Sequence, residues 1–431
     1  MKSRLKLPLG WRSSQLDEVA DVILSNVDKK SYDDQIPVRL CNYTDVYYND
    51  KIINGLDFME ATATDREVER FRIHPGDVLI TKDSETPDDI AVPALVEDEF
   101  DDVLCGYHLA ILRPDSTAVS GAYLSFLLGL HWVRHYFFTL ANGVTRYGLT
   151  SDAIRKAVLP FPPLPEQKKI AEILTTWDDA IATVSKLIES KRALKKGLMQ
   201  QLLTGKRRFP EFVKSNRFKE TPLGSVPEDW SVVQISDLFK PVRRKNEKGV
   251  TRVLTASGQH GLVDQREFFN RSVAGANLEG YYLLKRGEFA YNRSLMNGYP
   301  FGATKRMERY DEGALSTLYL CFALEGRKSD SDFYTHLFEA GVINRQLRQI
   351  AQVGARAHGL LNVTAGDFYS IAIPKPDLAE QKQIASVLNG ITDEIEVLVK
   401  VHDRISHEKC GLMQKLLTGQ VRVKVDEEVS G

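Results

Sequence analysis

The chain has 431 residues, 43% hydrophobic and 27% charged, with a formal net charge of −1. That length allows two to three domains, the ordinary composition excludes a disordered or fibrous chain, and the near-neutral balance excludes the overall basic surplus of a lone nucleic-acid binder. The four cysteines (Cys41, Cys105, Cys321 and Cys410) form no CxxC pair and no even ladder, which argues against a disulfide framework or a zinc site and for a reducing, cytoplasmic setting.

In chain order, residues 1–159 form a first domain. It opens on "LPLGW" (Leu7 to Trp11) and carries the aromatic and polar stretch "NYTDVYYNDK" (Asn42 to Lys51). "RFRIHPGDVLIT" (Arg70 to Thr81) predicts a strand, a glycine turn and a strand. "TKDSET" (Thr81 to Thr86) and "GVTRYG" (Gly143 to Gly148) are polar loops flanking "GAYLSFLLGLHWVRHYFFTL", which predicts one amphipathic to buried helix. Its most apolar run, Ala122 to Val133, is too short to span a bilayer, and no N-terminal stretch has the pattern of a signal peptide; no membrane association is expected.

Residues 160–205 predict a long helix. Its apolar positions step by four and three: Ile170, Leu174, Trp177, Ile181, Val184 and Ile188, then Leu198 and Leu202. Such a seam is a coiled-coil signature. Pro165 suits the first helical turn and Gly205 suits the C′ position that ends a helix. A linker, 206–220, leads to a second domain, 221–373, which opens on "VPEDW" (Val226 to Trp230). "YYLLKRGEFAYN" (Tyr281 to Asn292) again predicts strand, glycine turn and strand, and "DSDFYTHLFEAGVINRQLRQIA" (Asp330 to Ala351) predicts a helix. Its polar loops are "VRRKNEK" (Val242 to Lys248), "NRSLMNGYPFGATKR" (Asn292 to Arg306) and "GARAHG" (Gly354 to Gly359). Residues 374–420 predict a second long helix with the seam Ile384, Leu388, Ile391, Ile395, Leu398 and Ile405, then Leu412 and Leu416, ahead of a tail, 421–431. Here Asp377 and Glu380 have the spacing of a capping box.

The two helical segments are copies. "GLMQQLLTG" (Gly197 to Gly205) returns as "GLMQKLLTG" (Gly411 to Gly419), and "EQKKIAEIL" (Glu166 to Leu174) as "EQKQIASVL" (Glu380 to Leu388); 18 of the 40 positions from Glu166 to Gly205 match without a gap. The chain is therefore a tandem duplication, too long in period for a solenoid. The expected fold is α+β: two globular α/β-mixed domains separated by two long helices that form an antiparallel coiled coil with approximate two-fold symmetry. Lys191, Lys195, His402 and Lys409 interrupt the seam. Either their stems pack while their charged ends reach water, or they set register or end the packed segment. Met199, Leu203, Met413 and Leu417 lie off the seam and offer apolar area to a neighbour, either the adjoining domain or a partner subunit.

Catalytic constellations do not emerge. There is no GxxxxGK[ST] phosphate loop and no GxGxxG, and no GxSxG elbow. His131 and His135 are four apart but enclose Trp132 rather than the glutamate of a zinc protease. "PDLAEQK" (Pro376 to Lys382) is too tight for a nuclease PD…ExK site, and no Asn-Pro-Pro-aromatic tetrapeptide of amino-methyltransferases occurs. What recurs is Arg, Lys, Asn and Ser on loops beside aromatics. These types reach base edges, Arg to guanine and Asn to adenine, or position phosphates. The candidates for DNA contact are Lys82, Ser84, Arg146 and Tyr147 in the first domain and Arg243, Arg244, Arg293, Ser294, Lys305, Arg306 and Arg356 in the second.

Two copies of "PxxEQxxIAxxL…GLMQxLLTG", each after a variable domain, together with "KETPLGSVPEDW" (Lys219 to Trp230), resemble the specificity (S) subunit of type I restriction–modification systems. The resemblance spans nearly the whole chain. It implies two target-recognition domains, each reading half of a bipartite site in double-stranded DNA, with the copied helices as spacer. It implies two modification (methyltransferase) subunits as partners, and restriction subunits in the full complex. It also implies a non-catalytic chain that binds no cofactor itself, S-adenosylmethionine belonging to the modification subunit and ATP with Mg to the restriction subunit. The rivals are a coiled-coil adaptor with no DNA role and a nuclease or methyltransferase acting alone.

Overall fold

The structure is a computed structural model that describes residues 7–269, 278–353 and 361–425. The chain divides into two compact units, Met1–Ser185 with Val401–Gly431, and Lys186–Lys400. Both long helices, Leu164–Leu202 and Leu378–Leu417, pass from one unit into the other. At 1.5 Å per residue each is a rod of roughly 60 Å.

In the first unit a five-stranded sheet has the spatial order Ala20–Leu24, Leu109–Pro114, Val78–Thr81, Pro93–Val96, Lys51–Ile52. Its pairs are antiparallel except the last. Side chains of a strand alternate between faces, and here both faces are buried. Val78, Ile80, Ala110 and Leu112 enter a core shared with the helix Gly121–Leu128 and the long helices. Leu79, Leu109 and Ile111 enter a second core with Cys41, Ile52 and Phe100. A second sheet, Met59–Ala63, Ile36–Cys41, Val103–Cys105, leans on this one. The pairing of Arg12–Gln15 with Val158–Phe161 closes the domain and delivers the chain to the first long helix.

In the second unit a four-stranded antiparallel sheet has the order Phe239–Pro241, Leu320–Leu324, Phe289–Asn292, Ala303–Arg306. Its helix-facing core is aromatic: Phe289 and Phe322 stack at 5.5 Å, and Phe239 meets both edge-on. Ser231–Gln234 pairs with Ala372–Lys375 and delivers the chain to the second long helix, as the corresponding pair does in the first unit.

Three local expectations are corrected. The segment before Pro75 is not a strand: Thr64 caps the helix Asp65–Phe71, whose Glu67 bonds back to the cap, and only Val78–Thr81 is extended. The apolar stretch after Gly121 is two helices, Gly121–Leu128 and His131–Leu140. Its counterpart is likewise split, into Ser331–Glu339 and Asn344–Ile350, by Gly341 at φ +67°, a conformation that favours glycine. Finally, Asp377 and Glu380 make no capping box, because Glu380 is engaged elsewhere, as described below. "YYLLKRGEFAYN" does give two strands, although each pairs with a different neighbour.

Within each unit the two long helices run antiparallel. In the first, Glu166 meets Arg422 and Asp178 meets Lys409. In the second, Lys191 meets Glu394 at 2.5 Å and Arg208 meets Glu380 at 2.8 Å. As one residue number rises, its partner's falls. Every seam position is covered to some degree: Ile170, Leu174, Ile188, Ile384 and Leu388 are buried, and Trp177, Ile181, Val184, Ile391, Ile395, Leu398 and Ile405 are half-buried. A two-helix seam has solvent on both flanks, so partial burial is its natural state. Among the described residues no helix is long and apolar enough to cross a membrane.

Candidate functional site

The repeated motif builds two joints of the same chemistry. In the first unit the Glu166 carboxylate, buried at the start of the long helix, accepts from Trp11 Nε1 at 3.2 Å. It also accepts two bonds, 2.7 and 2.8 Å, from the Arg422 guanidinium. The neighbouring Gln167 accepts from Ser120 N and donates to the Ala118 and Pro162 carbonyls. In the second unit Glu380 accepts from Trp230 Nε1 at 3.0 Å and from Arg208 at 2.8 and 2.9 Å. Gln381 accepts from Asp330 N and donates to the Pro376 carbonyl. Each arginine lies just past a helix-ending "LLTG", and each tryptophan belongs to a "PxxW" opening. Gly205 and Gly419 have φ +69° and +72°; a Cβ on either would lie 2.4 Å from Cγ of Pro227 or Pro8. The E, Q, G, P and W of the repeat are thus one joint seen from its several sides. Met199 and Leu203 enter the core of the second unit and Leu417 that of the first, with Met413 against it. The off-seam apolar area is therefore spent on the domains.

The charged seam positions are mostly paired. Lys191 and Lys409 reach carboxylates on the other helix, and His402 faces its neighbour Asp403. Lys195 is the repeat equivalent of Lys409, but Thr392 stands where Asp178 would be. Burial lowers its pKa.

The polar loops of the first domain converge. Ser84 pairs with Tyr147 in a short antiparallel ladder, and Leu149 N donates to the Lys82 carbonyl at 2.9 Å. Tyr43 and Tyr47 stack at 5.4 Å. The Tyr43 hydroxyl meets Ser84 Oγ at 3.2 Å and Tyr47 donates to Asp89 at 2.9 Å. Together with Lys29, Asn42, Glu85, His108 and Arg146 they line one cleft of about 450 Å³. Burial raises the Tyr43 phenol's pKa and the bond to Asp89 raises that of Tyr47, so both rings stay neutral at physiological pH. Of the predicted residues, Arg146 is exposed at this cleft and Tyr147 is half-buried beside it. Lys82 and Ser84 are buried: Lys82 pairs with Asp83 at 2.9 Å and lies over the Tyr107 ring. They brace the cleft.

In the second domain a similar backbone bond runs from Leu361 N to the Arg293 carbonyl at 2.7 Å, and Arg293 follows Gly287 at the same distance as Lys82 follows Gly76, so it occupies the place of Lys82. Its guanidinium donates to the Leu318 and Val363 carbonyls. Ser294 is half-buried, its N–H donating to Asn292 Oδ1. Arg243 is exposed, whereas Arg244 pairs with Glu288 at 3.1 Å. Lys305 is buried and ion-paired with Glu339 at 2.5 Å, and Arg306 bridges Glu308 and Asp332. These last two serve internal pairs and leave little free donor capacity. Arg356 lies outside the described residues. No cluster of three potential metal ligands occurs among the described residues.

Sequence reasoning passed over two sets of residues. Trp11, Trp230, Arg208 and Arg422 were findable, since each sits at a matching place in both copies. Lys29 and His108 at the cleft carry no local signal; only the fold brings them there. The halves also differ in charge. Residues 1–159 hold 17 Lys and Arg against 25 Asp and Glu, a formal −8, whereas residues 221–373 hold 19 against 16, a formal +3.

Residues 8–190 and 227–405 each match the family model described as "Type I restriction modification DNA specificity domain". A putative type I restriction enzyme MjaX specificity subunit from Methanocaldococcus jannaschii is 27% identical over 426 residues, covering 97% of this chain and 95% of that protein. The MjaVIII specificity subunit of the same organism is 31% identical over 283 residues, 62% of each chain. Among solved structures, the S subunit of a type I restriction–modification system from M. genitalium is similar in fold, with TM-score 0.56 at 12% identity over 97% of this chain and 98% of that one. A chain from a study of complex assembly and conformational transition of the type I R-M system has TM-score 0.52 at 14% identity, over 96% and 99%.

Proposed function

The chain belongs to the type I restriction modification DNA specificity family, and from that premise we propose that its two domains read the two halves of an interrupted DNA sequence. The duplication carries this reading. The joints are written twice almost unchanged and the helices share 18 of 40 positions, while the loops at the ends of the domain sheets differ. Sameness suits two equal contacts with protein, and difference suits two unequal half-sites. The helices set the spacing, so the base pairs between the halves matter by number and not by identity. Half-sites about one helical turn (~34 Å) apart are the geometry that paired readers use.

Two modification subunits dock on this frame, one per copy of the repeat, and restriction subunits join them in the full complex. Leu187, Leu194 and Val397 of the long-helix segments in the second unit are exposed, and such apolar side chains suit a helical partner. The chain itself supplies recognition. S-adenosylmethionine is the modification subunit's cofactor, and ATP with Mg the restriction subunit's. The second domain, formally positive, contributes more of the phosphate attraction and hence of the salt dependence.

The deciding experiment maps methylated adenines in host DNA with and without this gene. The expected result is one interrupted, asymmetric motif that disappears on deletion. Unchanged methylation would refute the reading. Inserting one helical turn into both long helices is expected to lengthen the tolerated spacer or abolish methylation, and an unaltered motif would remove the helices from the measurement of spacing.

A further inference from the structure

The first-domain cleft has an unusual balance of used and unused groups. Asp83 is taken by Lys82 and His108, and Asp89 by Tyr47 and Thr86. Glu85, by contrast, is exposed and makes no hydrogen bond or ion pair with any described residue; the same is true of Arg146. Ser84 pairs with Tyr147 and Asp83 with Gly148; Glu85 and Arg146 lie at bends one residue beyond that ladder, and both line the same cleft. Opposite charges in that position ordinarily satisfy each other. Here they remain open on a platform held rigid by the Tyr43–Ser84 and Tyr47–Asp89 bonds.

A free carboxylate is a liability in a site for a polyanion unless an amino donor faces it. In the major groove, a G·C pair presents two adjacent acceptors, guanine N7 and O6, beside one donor, cytosine N4. An arginine fork fits the first two and a carboxylate the third. An A·T pair alternates acceptor, donor and acceptor and ends on a methyl group, so it meets the same two side chains poorly. We propose that Arg146 and Glu85 together read a single G·C pair in the half-site of the first domain, Arg146 taking the guanine and Glu85 the cytosine. Glu85 acts mainly by exclusion, since its carboxylate repels the O6 or O4 of a keto base placed where cytosine belongs. In an acidic domain with little general attraction for phosphate, such paired recognition compensates through selectivity.

This inference rests on the proposal that the domain reads DNA, and its test separates the two. The full chain is produced with its modification subunits, and methylated adenines are mapped genome-wide for the parent, Glu85→Gln, Arg146→Ala and Arg146→Lys. The parent motif is expected to contain a G·C pair whose discrimination falls about tenfold or more in each variant, in one half-site only. Glu85→Gln is expected to admit other bases at that position. Arg146→Lys keeps the charge but loses the fork, so it is expected to loosen the same position with unchanged salt dependence. Both residues are exposed, and equal melting temperatures establish that the variants fold. Variant motifs identical to the parent's, or loosened equally at all positions, would overturn the assignment. No interrupted motif from the parent chain would refute the underlying function instead.

Discussion

The two joints differ in one instructive respect. Both hold a buried glutamate between a tryptophan and an arginine, yet Arg208 is only 6% exposed and Arg422 is 42% exposed. The cause lies in the loop before the tryptophan. In "PEDW" Asp229 supplies a second carboxylate, and Arg208 donates to it at 2.7 Å while also bonding the Phe212 carbonyl. In "PLGW" Gly10 stands at that position, and Arg422 finds the Leu9 carbonyl instead. Burial opposes the charge on both groups, but the two carboxylates hold the Arg208 guanidinium's pKa up, and Arg208 in turn lowers that of Asp229. The same repeat thus yields a sealed joint in one unit and a half-open one in the other.

The largest effect should come from breaking the sealed joint. Arg208→Ala leaves Glu380 and Asp229 without their cation and is expected to destabilise the chain by about 3–5 kcal/mol, the usual consequence of stranding a buried charge. Arg422→Ala leaves a single carboxylate that water can reach, and about 1–2 kcal/mol is expected. Denaturant unfolding of both variants measures the contrast; equal losses would show that Asp229 adds nothing. Gly205→Ala and Gly419→Ala should fall between, at about 1–3 kcal/mol each, because a left-handed backbone and a close proline contact are both disturbed. A loss below about 0.5 kcal/mol at either position would mean that the turn gives way freely.

Much of this frame was legible in advance, because a repeat whose two ends are closely copied reports on packing. Helix extent, seam, terminal glycines and antiparallel pairing all follow from periodicity and from Gly205 and Gly419. The misreadings have specific causes. Glu380 resembled a capping residue because the spacing from Asp377 is right, but its carboxylate is claimed by Trp230 and Arg208, which are distant in sequence. Two apolar stretches looked like single helices because the break at Gly129 leaves the hydrophobic pattern almost in phase. The candidate loops were chosen by composition alone, and composition cannot distinguish Arg146, which is free, from Lys305, which is buried against Glu339. Nothing local marks His108 as a neighbour of Asp83.

The repeat-equivalent lysines offer a contrast of the opposite sign to the joints. Lys409 pairs with Asp178 and lies over the Phe126 ring, so Lys409→Met is expected to destabilise the chain by about 1 kcal/mol. Lys195 has no such partner, and burial disfavours its charge. Lys195→Met is therefore expected to be neutral or stabilising. A lysine with a lowered pKa carries fewer protons folded than unfolded, so stability rises with pH across the window below about 10.4. The methionine variant should lose that rise, and a destabilised Lys195→Met would show that the ammonium serves Glu339 after all.

The smallest effect lies beside it. His336 is buried, bonded to Asn389 at 2.7 Å, with Asp332, Lys195 and Arg306 around it. Burial is the first cause that lowers its pKa, ahead of Lys195, while Asn389 and Asp332 pull the other way. The folded chain therefore resists the proton that the unfolded chain accepts. Its contribution is complete above about pH 6.5 and is lost as the pH falls below that value toward the folded pKa. One proton gives a slope of at most about 1.4 kcal/mol per pH unit. Melting of the full chain between pH 8 and 5 should show a shallower acid-side decline for His336→Gln, which keeps a polar partner for Asn389. The first domain has no histidine at the corresponding core position, so any change in the variant is assigned to the second unit. An unchanged difference between parent and variant across that range would mean that His336 takes up its proton in the folded chain as readily as in the unfolded one.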